Sequence, residues 1–170
     1  RLYYRGSSKV GSDGSPGEVT CYAESKDGIQ WTKPDLKIFD VEGQVSNSIV
    51  LEGMAPLSHN FCPLLDTRPG VPAEQRFKAL GGTMNSGLVA LVSADGIHWK
   101  KLREEAVIPT EMVPYKYMFD SQNLAFWSAN ENQYVCYFRV FEDGIRRICR
   151  TTSDDFLHWS APELMEYRHS

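Results

Sequence analysis

The chain has 170 residues and a formal net charge of −4, with 42% apolar and 24% charged residues. That balance excludes disorder, collagen and coiled coil, and a chain of this size can bury a core without staples. The mild acidity argues against a nucleic-acid binder, and no apolar run approaches the roughly 20 residues of a membrane helix.

The first predicted element is the strand-like run Leu2 to Arg5. A strand at the very start points to a chain that opens in mid-domain, so the compartment stays open, secretion or the periplasm included. A second run covers Glu18 to Ser25. Further runs cover Arg76 to Leu80 and Gly87 to Ser93, and a short helical pattern covers Pro72 to Phe77. The last part predicts four strands, at about 122–127, 133–140, 146–152 and near 158–166, with Glu142-Asp143-Gly144 as the hairpin turn. Cys21, Cys136 and Cys149 lie within apolar strand-like runs. With Cys62 they make four, and no C-x-x-C spacing exists, so a zinc site or thioredoxin-like motif is not expected. Buried free thiols are the expectation, and the even count leaves a disulfide open.

The strand-like runs carry an internal repeat. Ser25-Lys-Asp27-Gly-Ile-Gln-Trp31 recurs as Ser93-Ala-Asp95-Gly-Ile-His-Trp99 and as Ser153-Asp-Asp155-Phe-Leu-His-Trp159. The shared pattern is S-x-D-x-[IL]-[QH]-W at near-equal intervals. Each copy follows a strand, so the unit reads as strand, tight turn, strand. The Asp closes the turn and the Trp fills a seam between sheets. A second repeat, Ser58-His59-Asn60-Phe61 against Ser121-Gln122-Asn123-Leu124, precedes the last two copies.

Four short strands per recurring unit predict an all-β fold, a β-propeller of four-stranded antiparallel blades. The chain is then one partial domain. An incomplete first blade covers 1–45, a second about 46–110 and a third about 111–170. The first unit lacks its innermost strand. Three blades do not close a propeller, so the chain reads as a fragment of a longer protein. If it were complete, a homo-oligomer would be expected to cover the open sheet edges.

Innermost strands line a propeller's channel, so their polar residues are the candidates for chemistry. His59, Asn60, Gln122 and Asn123 suit a hydroxyl-rich ligand, since amides and imidazoles donate and accept at fixed geometry. For the repeated Asn60 and Asn123, a shared backbone-bonding role is the alternative. Asp120 is the only carboxylate adjoining either motif. Asp66, after Pro63-Leu64-Leu65, is a second channel-end carboxylate or a residue of the turn Asp66-Thr-Arg-Pro-Gly. A glycosidase needs two carboxylates, one to protonate the leaving oxygen and one to attack or activate water. The Asp and Trp of the three turns read as structural, and packing is the reading for Tyr115-Lys116-Tyr117 and Trp127. No metal-ligand cluster is visible, so no metal ligand is assigned, a bound metal stays open, and no cofactor is expected.

Ser58-His-Asn-Phe-Cys-Pro, Arg76-Phe-Lys-Ala-Leu and Ser93-Ala-Asp-Gly-Ile-His-Trp-Lys-Lys-Leu together resemble an uncharacterised bacterial branch of the five-bladed propeller glycosidases. Phe119-Asp-Ser-Gln-Asn, Tyr134-Val-Cys-Tyr-Phe-Arg and Arg150-Thr-Thr-Ser-Asp-Asp-Phe-Leu-His-Trp-Ser continue the likeness over nearly the whole chain. The wider group is similar to the fructan- and arabinan-cleaving glycoside hydrolases of families 32 and 43. The resemblance implies a carbohydrate partner and a five-bladed parent. It also implies a catalytic role for Asp120 as a transition-state-stabilising or acid-tuning acidic residue. Two further acidic residues of the family pattern would fall outside the chain, which puts catalysis by this chain alone in doubt. A non-catalytic carbohydrate-binding or structural propeller is the rival reading.

Overall fold

The computed structural model describes residues 1–7, 9 and 11–167. Eleven strands form three antiparallel sheets, and no α-helix occurs among the described residues. The first sheet joins β1 (Leu2–Ser7), β2 (Glu18–Ala23) and β3 (Ile49–Leu51). The second joins β4 (Cys62–Leu65), β5 (Phe77–Thr83), β6 (Gly87–Ser93) and β7 (Lys100–Lys101). The third joins β8 (Leu124–Ser128), β9 (Gln133–Glu142), β10 (Ile145–Ser153) and β11 (Glu163–Leu164). In each sheet every strand pairs with its successor. The expected four-strand unit is therefore seen twice.

The hairpin between β9 and β10 turns on two residues with positive φ, Asp143 (50°) and Gly144 (76°). Such a turn matches the twist of the strands it joins. The helical pattern at Pro72 to Phe77 is realised only as one 3-10 turn, Ala73–Gln75, before β5. All four cysteines are free thiols.

Aligned on the repeated turns, β2, β6 and β10 are equivalent, since each leads directly into a copy. The first sheet then has no counterpart of β4 and β8, as the repeat arithmetic predicts. Its third strand lies at 49–51, beyond the boundary placed at 45.

The sheets lie face to face with the second in the middle. Strands β5 and β6 bury both faces, and every residue of β6 is buried. Their side chains alternate, as the pleat requires. Ala79 and Leu91 join Leu51, Phe61 and Trp99 in the seam with the first sheet. Leu80, Leu88 and Ala90 join Tyr134, Cys136, Phe138, Val140 and Trp159 in the larger seam with the third. The outward faces of the first and third sheets keep apolar residues exposed, among them Leu2, Leu124 and Phe126. Strands β4 and β8 touch across the larger seam, which sets the connections leading into them side by side.

Candidate functional site

A cleft of about 240 Å³ opens where three connections meet, with Asp13, His59, Thr83, Tyr117, Met118 and Asp120 on its walls. Asp13 comes from the β1–β2 loop, His59 from the β3–β4 connection and Asp120 from the β7–β8 connection. A larger surface depression of about 560 Å³ lies over the first repeated turn, beside Ser25 and Asp27. There Ser25 and Asp27 bond each other, as in the other copies, whereas the smaller cleft gathers acidic and imidazole groups from separate connections.

His59 is the buried member, 4% exposed. Its Nδ1 lies 3.1 Å from the Glu18 carboxylate and 3.3 Å from Arg5 Nη1. A carboxylate can only accept, so His59 donates through its Nδ1–H in this contact. Arg5 turns instead to Asp13 at 2.8 Å. Glu18 also accepts from the Gly14 backbone N–H at 2.8 Å, and the Ser58 hydroxyl donates to the Glu18 carbonyl at 3.1 Å. The start of β2 thus anchors the histidine from behind. The second Glu18 oxygen, Oε1, is buried without a partner among the described residues.

Asp120 is exposed and ion-paired with Arg139 of β9. Its backbone is placed by the two repeated asparagines. The Asn60 amide donates to the Phe119 carbonyl at 2.9 Å, and the Asn123 amide donates to the same carbonyl at 3.3 Å. One carbonyl therefore ties two motifs of adjacent sheets together. Phe119 holds a φ of +67° and Asn60 one of +53°, in the left-handed region that non-glycine residues seldom enter. Of the two readings of these asparagines, the backbone role is the one with contacts. Gln122 donates to the Cys62 thiol at 3.4 Å, and Asn123 is fully buried, so neither lines the cleft.

Asp66 is not at the cleft either. It is buried in the larger seam, where it accepts from Lys78 Nζ at 2.6 Å and from the Tyr134 hydroxyl at 2.5 Å. Its other oxygen accepts from the Arg68 backbone N–H at 3.0 Å, which is the turn role. Burial lowers the Lys78 pKa, against the bond and the charge of Asp66, and burial raises that of Tyr134. The group is a polar clasp between sheets.

Asp13, His59 and Asp120 each offer a ligand atom, all within 4.8 Å of one another. Two carboxylates and an imidazole suit a divalent cation, and Glu18 behind the histidine is the kind of partner that orients a ligating ring. The trio was invisible in sequence because its members lie on three separate connections. Asp13 stands in the Gly- and Ser-rich stretch 11–17, which reads only as turn chemistry. Glu18 was discoverable, as an acid at the head of the strand-like run Val19 to Ala23.

No family model and no curated protein matches the chain. Among solved structures, it is similar to an N-acetylgalactosamine deacetylase from F. plautii, crystallised with blood group B trisaccharide. The TM-score is 0.52 and the identity 17%, over 87% of this chain and 44% of that one. At that identity the likeness is one of fold. The chain spans less than half the length of that structure.

Proposed function

We propose that the cleft binds a carbohydrate and that the protein of which it is part hydrolyses a glycosidic bond there. The carrying observation is that Asp13 and Asp120, from neighbours of two different sheets, converge on one cleft beside an oriented histidine. A glycosidase needs two carboxyls at the scissile bond, and Asp13 and Asp120 lie close enough to meet one substrate. Asp120 is the residue with the catalytic role, and Asp13 takes the part first looked for at Asp66. The saccharide-bound neighbour in fold supports the carbohydrate partner. The consecutive sheets of three, four and four strands support successive blades of a propeller, the first running through β3 rather than ending at 45, completed by further chain or by copies.

A second reading has its own observation. The close trio of Asp13, His59 and Asp120 favours a bound divalent cation, which would polarise an acyl group on a sugar for hydrolysis. The neighbour in fold is a deacetylase, which accords with this chemistry.

One experiment separates the readings. An acetylated oligosaccharide panel is incubated with the protein, with and without a chelator, and both new reducing ends and free acetate are measured. Reducing ends that persist with chelator and vanish in Asp120→Asn and Asp13→Asn support glycoside cleavage. Acetate release abolished by chelator supports the cation. Binding without either product supports a carbohydrate-binding module. No binding overturns the proposal.

A further inference from the structure

We infer that Tyr117 is the stacking platform of a second sugar subsite beside the cleft, and that Arg146 makes this subsite selective for a sugar bearing a carboxylate. The inference rests on the carbohydrate reading above.

Tyr117 is 61% exposed, yet it is held firmly. Its ring meets Phe141 edge to face, with centroids 5.6 Å apart and planes at 77°. Just before it, Lys116 and Phe141 exchange both backbone hydrogen bonds, the Phe141 N–H donating at 2.8 Å and the Lys116 N–H at 3.3 Å. Tyr117 itself has a φ of +49°, and two residues on Phe119 is pinned by both asparagines. An aromatic that only packed would be covered. This one is fixed, strained and open, at the wall of a cleft, which is how a recognition surface is built. The apolar C–H face of a sugar ring fits such a platform.

Cations gather beside it. Two guanidiniums stack on Phe141, Arg139 at 5.2 Å and Arg146 at 5.3 Å from the ring centroid. The charge of Arg139 is committed to Asp120. Glu142 pairs with Arg147 at 2.7 Å, while Asp143 at the hairpin turn stays exposed. Arg146 is exposed and makes no ion pair among the described residues, and Lys116 adds a second exposed cation. A guanidinium held over a ring and outside any ion pair keeps N–H groups free, and that fork matches a carboxylate.

The test is calorimetric binding of galacturonate and galactose oligosaccharides of equal length to the full chain at low salt. Galacturonate should bind about tenfold more tightly, the effect of one charge-assisted hydrogen-bonded pair. Arg146→Gln, on the surface, should level the two affinities and leave the neutral one unchanged. Tyr117→Ala should weaken both about tenfold, and Tyr117→Phe should keep them. Equal binding by the wild type, a preference that survives Arg146→Gln, or full binding by Tyr117→Ala overturns the inference. If both sugars bind and Asp120→Asn weakens them while these variants do not, the site reading stands and the subsite falls. If neither sugar binds, both fall.

Discussion

The first and third copies of the repeated turn share the same serine, backbone and indole bonds and have opposite surroundings. In each, a carboxylate oxygen accepts two backbone N–H groups at 2.8 Å, Ile29 and Gln30 on Asp27, Leu157 and His158 on Asp155. In each, the Trp indole donates to a turn carbonyl at 3.1 Å. Yet Trp31 is 43% exposed and Trp159 only 6%. The positive-φ position is Gly28 in the first copy, with nothing within 4 Å of where a Cβ would lie. In the third it is Phe156, which accepts the strained φ of 70° and is fully buried against Tyr134 and Trp159. The second copy lies between, with Tyr3 of the first sheet donating to the Gly96 carbonyl at 2.8 Å. The turn is thus a self-contained local structure. What differs is the sheet that each copy meets, and that sheet decides what the copy contributes to stability.

The largest break should come from the clasp beneath the third copy. Lys78 lies 5.9 Å from the Phe156 ring and depends on Asp66 for its counter-charge. Asp66→Asn keeps the shape and removes the charge, and a buried cation left unpaired costs about 3–5 kcal/mol. Urea unfolding should show that loss, and Asp66→Asn with Lys78→Met should recover most of it. If the single variant unfolds like the wild type, the clasp is not what holds the seam.

Next comes the tryptophan series. Trp159→Ala should cost about 3–5 kcal/mol by cavity formation. Trp99→Ala should cost less, since its ring is only half-buried in the smaller seam, edge to face with Phe61 and Tyr3 at 5.0 and 6.1 Å. Trp31→Ala should cost about 0.5 kcal/mol or less, as at an ordinary surface position. Equal losses in all three would mean that the turn itself, and not the seam, carries the energy.

The same contrast explains what was legible in the residues. The turns, the strands beside them and the missing strand of the first sheet follow from a local pattern repeated three times. Asp120 and His59 were readable as polar residues next to a repeat. Their meeting with Asp13 was not, because it joins loops of different sheets and no local spacing records it. The convergence of Asn60 and Asn123 on one carbonyl was hidden for the same reason. Asp66 had a readable signal that pointed elsewhere. Lys78 inside Phe77-Lys78-Ala79-Leu80 stands on a strand buried on both faces and demands a nearby acid.

The smallest effect sharpens the comparison through pH. Burial works to raise the carboxyls of Asp95 and Asp155. The bonds from the His98 and His158 side chains, from the backbone N–H groups and from the turn serines outweigh it, so both are held well below the usual range. A depressed carboxyl contributes stability that is present above its unfolded pKa, about 3.9, and is lost as pH falls toward the folded value. Unfolding midpoints measured from pH 5 downward should therefore fall below about pH 4. Asp27 is lowered too, chiefly by the Gln30 and Ile29 backbone bonds, but it lies open to solvent and has glutamine where the others have histidine. Asp95→Asn with Asp155→Asn should lower stability at neutral pH and flatten the acid limb, while Asp27→Asn should leave the limb nearly as steep. An acid limb unchanged by the double variant would place the titrating groups elsewhere.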